Sequence, residues 1–98
     1  MNEAIVTINF NSRVEVPDDV LVSELDGESV ILNLKTESYF GLDDVGAWMW
    51  SVFTSADSIE AAYKTLKGQW DVEPDLLRKD LTRLLEQLAA EGLVRFNS

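Results

Sequence analysis

The chain has 98 residues, 46% of them hydrophobic, and its three Trp, two Tyr and four Phe give enough apolar surface for one compact core. It contains no Cys and no His, which excludes disulfides, thiol nucleophiles, His-based acid–base catalysis and Cys/His zinc sites. The formal charge is −10, and residues 1–63 hold twelve acids against Arg13 and Lys35, so a phosphate backbone would be repelled there.

The predicted organisation is a single domain over residues 1–98, with no targeting or membrane segment. No run approaches the ~18–20 apolar residues that a membrane span requires. The N-terminus lacks the basic start and apolar run of a signal peptide. We therefore expect a cytoplasmic protein that does not contact a membrane.

A first strand is predicted over residues 4–10, because apolar positions alternate there with polar ones and only Ile5 breaks the pattern. The dipeptide Asn11-Ser12 indicates a turn. A second turn at Pro17-Asp18-Asp19 closes the short segment 14–16. The N-terminal part therefore reads as extended chain interrupted by turns.

A β-hairpin is predicted over residues 20–34, where two runs rich in β-branched residues flank Asp26-Gly27, a pair that tolerates positive φ. In the second run Val30, Leu32 and Leu34 point one way, with Ile31 on the otherwise polar side. A polar turn at residues 35–37 leads into a third strand, 38–42. The result is a three-stranded antiparallel meander.

Two helices are predicted after the meander. Asp43 or Asp44 caps the first, which runs to about Phe53, and Trp50 lies off its apolar stripe and is expected to be the most exposed of the cluster Trp48-Met49-Trp50. Asp57 or Ser58 caps the second, which runs to about Lys67 and ends at Gly68. Aromatic residues at helical spacing are typical of a core, so we interpret the Trp cluster as packing rather than as a ligand pocket.

The third helix is predicted over residues 74–91, with Pro74 in its first turn and Gly92 as its stop. Its apolar stripe consists of Leu77, Leu81, Leu84 and Leu88, widened by Leu85. Residues 93–96 form an apolar tail that either packs back or adds a strand. Strands followed by three helices predict an α+β fold of winged helix-turn-helix type.

Charge argues against the DNA binding that such a fold invites. The third helix carries a basic cluster of Arg78, Lys79 and Arg83, but acids share that helix. The acid pairs Asp18-Asp19 and Asp43-Asp44 lie where a turn or a helix cap explains them, so we expect no metal site and no cofactor. No enzymatic constellation is left.

The outer edge of the third strand, residues 38–42, is the strongest candidate for a binding site. If the strands follow sequence order, this strand is terminal in the sheet and its outer N–H and C=O groups lack partners. An edge beside an apolar helix accepts a peptide as an added strand. The alternative is that residues 4–10 or the tail 93–96 fill the edge, and the sequence leaves both readings open.

The following stretches carry a family resemblance: Val30-Ile31-Leu32-Asn33-Leu34, Tyr39-Phe40-Gly41-Leu42-Asp43, Gly46-Ala47, Met49-Trp50, Asp80-Leu81, Leu84-Leu85, Leu88 and Gly92-Leu93-Val94. In this order and spacing they resemble the PqqD family, the small protein of pyrroloquinoline quinone biosynthesis and its relatives. The similarity covers about residues 20–95. No single motif is diagnostic, because most of these positions are apolar.

The resemblance implies a non-catalytic domain that binds the leader segment of a ribosomally made precursor peptide, lasso peptides included, and delivers it to a modifying enzyme or leader peptidase. The leader would add a strand between the third strand and the third helix, and an acidic leader residue would meet the basic cluster. The residues that the resemblance assigns to this slot are Glu37, Ser38, Tyr39, Phe40, Gly41, Leu42, Leu77, Arg78, Asp80, Leu81, Arg83 and Leu84.

Two other functions stay open at this stage. One is a winged-helix DNA-binding regulator, which only the fold supports. The other is a structural subunit whose sheet edge is filled by a partner chain. Residues 1–19 are less typical of the family, and their strand would pair with residues 20–25, form a homodimer by exchange, or cover the third strand.

Overall fold

The computed structural model describes residues 8–26, 28–69 and 71–97, without the side chain of Leu25. The elements, in chain order, are β1 (Arg13–Glu15), β2 (Val20–Leu25), β3 (Glu28–Asn33), β4 (Ser38–Leu42), α1 (Asp44–Ser55), α2 (Ile59–Gln69), α3 (Pro74–Ala90) and β5 (Arg95–Asn97). The predicted α+β order of a three-stranded meander followed by three helices is confirmed. Within the described residues, no helix is both long and apolar enough to cross a membrane.

The meander is an antiparallel sheet in the order β2-β3-β4. Its first turn includes Asp26 with φ of 54°, as a tight hairpin connection requires, whereas Gly27 lies outside the described residues. Its second turn places Glu37 at φ of 62°. The strand predicted over residues 4–10 lies mostly outside the described residues, and residues 8–10 are not in a strand.

The face of β3 that packs on the core is the one with Ile31, which is fully buried, together with the buried Ser29 and Asn33. Ile31 thus shares a face with Ser29 and Asn33, as predicted, but this face packs on the core, whereas the apolar face of Val30 and Leu32 points outward. The physical reason is that the helices cover the sheet on the side of Ile31. The two polar residues on that side stand at the ends of β3, where Asn33 finds hydrogen-bond partners.

Helix α1 begins after Asp43, whose Oδ1 accepts from the Gly46 N–H at 2.8 Å. The expected exposure of its tryptophans was wrong. Trp50 is only 9% exposed and packs edge-on against Phe53, with ring centroids 5.6 Å apart, because it faces the core. Trp48 is the half-exposed one, and its indole N–H donates to Gln69 at 3.2 Å.

Helix α2 begins after Ser58, whose Oγ accepts from the Ala61 N–H at 3.0 Å. It continues to Gln69, so the expectation that Gly68 ends it was wrong. Gly92 is the glycine with a positive φ among the described residues, and Gly68 therefore does not adopt the left-handed conformation that terminates helices.

Helix α3 contributes the centre of the core through Leu77, Leu81, Leu85 and Leu88, all fully buried. Leu85 therefore belongs to the central stripe and Leu84 to its half-buried flank, the reverse of the predicted assignment, because the helix rotates by 100° per residue and Leu84 falls to one side of the stripe. The helix is followed by Gly92 with φ of 74°.

The C-terminal tail, residues 93–97, packs into the core and does not pair with the meander. Leu93 and Val94 are buried, and β5 pairs antiparallel with β1, Arg13 opposite Asn97 and Glu15 opposite Arg95, as a separate two-stranded sheet. The tail therefore does not cover β4.

Candidate functional site

The outer edge of β4 is open within the part of the chain that the structure describes. β4 pairs with β3, with Leu42 opposite Ser29 and Ser38 opposite Asn33, and its residues make no backbone hydrogen bond to any other described segment. In an antiparallel strand alternate residues turn both N–H and C=O to the same side. As far as the described residues go, every second residue of β4 therefore presents an unpaired donor and acceptor at this edge.

The side chains of β4 divide between the two faces of the sheet. Phe40 and Ser38 are half-buried and Leu42 is buried on the inner face, whereas Tyr39 is 72% exposed on the outer face. At Gly41 a Cβ would meet no atom within 4 Å. The edge thus combines unpaired main-chain groups with the half-buried ring of Phe40.

The start of β4 is tied to the end of α3 through Asn33. Its Nδ2 donates to the Gly92 carbonyl at 2.8 Å, and its Oδ1 accepts from the Lys35 and Thr36 N–H groups at 2.9 and 3.1 Å. A Cβ at Gly92 would lie 3.4 Å from that Nδ2. This one buried amide therefore fixes the turn before β4 and the position of that turn relative to α3.

Leu77 and Leu81 lie in the interior of the domain rather than on a surface. Both are 0% exposed. A peptide at the edge of β4 cannot touch them while the core stays closed. Among the residues that the family resemblance assigns to the slot, these two support α3 from within.

Arg78 lies on the side of α3 that faces α2. Its Nη2 is 3.4 Å from Glu60 Oε1, and its Cζ lies 4.3 Å from the centroid of the Tyr63 ring and 4.5 Å from that of Phe10. The carbonyl of Phe10 in turn accepts from the Glu60 N–H at 2.8 Å. The guanidinium is thus engaged in joining α3, α2 and the N-terminal segment.

The opposite flank of α3 carries Leu76, Asp80 and Leu84. These positions lie about 160–240° around the helix from Arg78 at 100° per residue, so they face away from α2. Leu76 is 49% exposed, and Asp80 and Leu84 are half-buried. Leu76 was absent from the sequence-based assignment because it falls outside the leucine stripe, and its exposure became visible only in the structure.

Arg83 lies exposed on the outer side of α3, where it lines a shallow depression together with Lys79, Asp75 and Glu86. This depression mixes both signs of charge. It does not form the continuous basic surface that a phosphate backbone requires. The structure thus adds no support for DNA binding.

The remaining groups of the described residues offer little chemistry. No cluster of three acidic side chains there could hold a metal ion, and no buried side-chain polar atom there lacks a partner. The pKa of Glu15 is lowered by hydrogen bonds from Asn97 and Arg95, but this carboxylate belongs to the β1–β5 sheet. The open edge of β4 therefore stands out for its main chain rather than for a reactive side chain.

Comparison with known proteins adds a family and two structures. Residues 28–94 match the family described as coenzyme PQQ synthesis protein D (PqqD). The structure of TbiB1 in complex with the TbiA(beta) leader peptide is similar, with 31% sequence identity, a TM-score of 0.74, and coverage of 83% of this chain and 94% of that one.

A second similar structure is a lasso peptide synthetase B1 complexed with the leader peptide. It has 19% identity, a TM-score of 0.75, and coverage of 85% of this chain and 98% of that one, so it supports the fold. No curated protein sequence matches the chain significantly. Both structures thus share the fold described above.

Proposed function

Because the chain belongs to the PqqD family, we propose that it is a non-catalytic domain that binds the leader segment of a ribosomally made precursor peptide and presents it to a modifying enzyme or leader peptidase. The leader adds a strand to the open edge of β4. We place this binding in the cytoplasm and in a single domain spanning residues 1–98. The similar TbiB1 structure, which is a leader-peptide complex, supports the proposal.

The edge of β4, which no described segment pairs with, is the observation that carries this proposal. A visiting strand supplies hydrogen-bond partners to main-chain groups from Ser38 to Leu42, and such bonds give affinity with little dependence on the visitor's sequence. Selectivity then comes from side chains of the leader that meet apolar surface on either side. The half-buried Phe40 supplies such surface on β4.

We further propose that the flank of α3 opposite α2 forms the second wall of this slot. It offers Leu84 and Leu76 as apolar contacts and Asp80 as a charged one. Leu77 and Leu81 hold that wall in place from the core. Arg78 keeps its place between α2 and the N-terminal segment. Of the two arginines that were expected in the slot, Arg83 is therefore the exposed one.

The added strand is tested by a backbone N-methyl scan of the leader peptide. In a strand paired on one side, alternate N–H groups point at the protein, and removing one net hydrogen bond of about 1 kcal/mol weakens binding roughly fivefold. Calorimetric titration of each methylated peptide should give losses at every second position. Equal losses at consecutive positions, or none at all, would contradict strand addition.

The contribution of Arg83 is tested with a matched pair of charge reversals. Arg83→Glu should leave the circular dichroism spectrum unchanged and lower the affinity for an acidic leader peptide. Lys79→Glu is the control, because it makes the same change of charge one turn earlier on α3. If both variants weaken the leader equally, the effect is long-range electrostatics; if neither does, Arg83 is not part of the site. Amide shifts on titration should concentrate in residues 37–42 and 76–84.

A further inference from the structure

The outer face of the meander carries an apolar row that crosses all three strands. Paired residues of an antiparallel sheet project on the same face, and Leu21 pairs with Leu32, which pairs with Tyr39. Leu21 is 51% and Tyr39 72% exposed, and Leu32 is half-buried. Leu34, 59% exposed, follows β3 at the same end of the sheet.

This row lies on the side of the sheet that the core does not use. Ile31 and Leu42, on the inner face, are buried against the helices, so the outer residues contribute nothing to that core. A contiguous group of exposed large apolar side chains on a sheet face is typical of an interaction surface. A strand added at the edge of β4 would bind through main-chain groups, so it would not need the side chains of this row.

The charges around the row indicate which kind of partner can bind there. Exposed acids surround it, and Lys35 is the single base among residues 18–44. A second copy of the chain would bring two acidic rims together, and an anionic membrane or a nucleic acid would be repelled. Four acids form this rim. The main-chain carbonyl of Asp19 accepts from the Leu34 N–H, Asp26 lies in the first turn, Glu28 on the outer face of β3, and Glu37 before β4.

We propose that the outer face of the meander docks a second protein whose contact surface is apolar at its centre and rimmed with Lys and Arg, and that this protein is the enzyme that receives the leader. The identity of that partner rests on the proposed function. β4 then holds two partners at once, the leader through its edge and the enzyme through its outer side chains. The scissile or modified segment of the precursor is thereby kept beside the enzyme.

The test uses two variants on β2 and β3, away from the open edge. Leu21→Ser removes apolar surface at the β2 end of the row, and Glu28→Lys reverses a charge at its rim. Val45→Ser, at a residue 41% exposed on α1, and Asp57→Lys, at an exposed acid between α1 and α2, are the matched controls. The probe is the purified leader peptidase or modifying enzyme encoded with the precursor, immobilised at low salt.

Leu21→Ser and Glu28→Lys should each weaken enzyme binding about tenfold, the latter less at high salt, while the controls and the affinity for the leader peptide stay within twofold of the parent. Enzyme binding that is unchanged in both variants, or absent in the parent, overturns the proposed docking face. If the parent still binds the leader peptide in that case, the proposed function stands. A parent that binds no leader refutes the proposed function instead. Sedimentation showing a parent dimer that Leu21→Ser dissociates assigns the face to a second copy and also overturns the inference.

Discussion

Replacing Asn33 should reveal how strongly one amide holds the edge strand in position. The side chain makes three hydrogen bonds, one to the Gly92 carbonyl and two from the Lys35 and Thr36 N–H groups. A net hydrogen bond contributes about 1 kcal/mol. Water can replace part of each lost bond, because Lys35, Thr36 and Gly92 are exposed. Asn33→Ala should therefore lower the free energy of unfolding by about 1–2 kcal/mol, less than three full bonds would give.

Urea unfolding followed by tryptophan fluorescence and circular dichroism measures this loss. Asn9→Ala, which removes the single exposed bond from the Asn11 N–H, is the matched control and should cost less than about 0.5 kcal/mol. Asn33→Asp separates the two functions of the amide, since its carboxylate still accepts from the turn but cannot donate to Gly92. A loss below about 0.5 kcal/mol for Asn33→Ala would refute the view that this amide fixes β4 against the end of α3.

Two further outcomes follow from burial and charge. Leu81→Asp places a charge at a position where the side chain is 0% exposed. The lost apolar burial and the unpaired charge together should lower the free energy of unfolding by more than about 5 kcal/mol, so the purified variant should lack a cooperative unfolding transition. A cooperatively folded variant would contradict the assigned core. Hydrogen bonds from Asn97 and Arg95 lower the pKa of Glu15 from 4.5, so its stabilisation is complete above that value and is lost as pH falls through the lowered folded pKa. The difference in thermal stability between the parent and Glu15→Gln should therefore shrink in acid, and a constant difference would count against the pairing.

The terminal position of β4 in its sheet followed from the sequence because it depends on local order. Short polar turns between three extended runs leave little choice but a meander, and the last strand of a meander is terminal in its sheet. The pairing of β2-β3-β4 confirms that reasoning. The fate of the tail did not follow, since two readings were equally compatible with a short apolar segment after Gly92.

The side chains of the slot were harder to assign from the sequence than its main chain. A leucine stripe identifies the face of α3 that is buried, and for that reason Leu77 and Leu81 turn out to be inaccessible. Which flank lies beside α2 depends on how two helices cross. Arg78 therefore looked available in the sequence although the structure pairs it with Glu60.

The sequence by itself determined the three strands of the meander, the three helices and their order, a cap at Asp43 or Asp44, the stop at Gly92 and the acidic surface, because periodicity, capping and charge are properties of neighbouring residues. Only the tertiary structure decided that Ile31 rather than Val30 faces the core and that Trp50 rather than Trp48 is buried. An alternating strand has two faces with the same period. Burial is assigned to one of them by the helix packed against it, and that helix comes from a distant part of the chain.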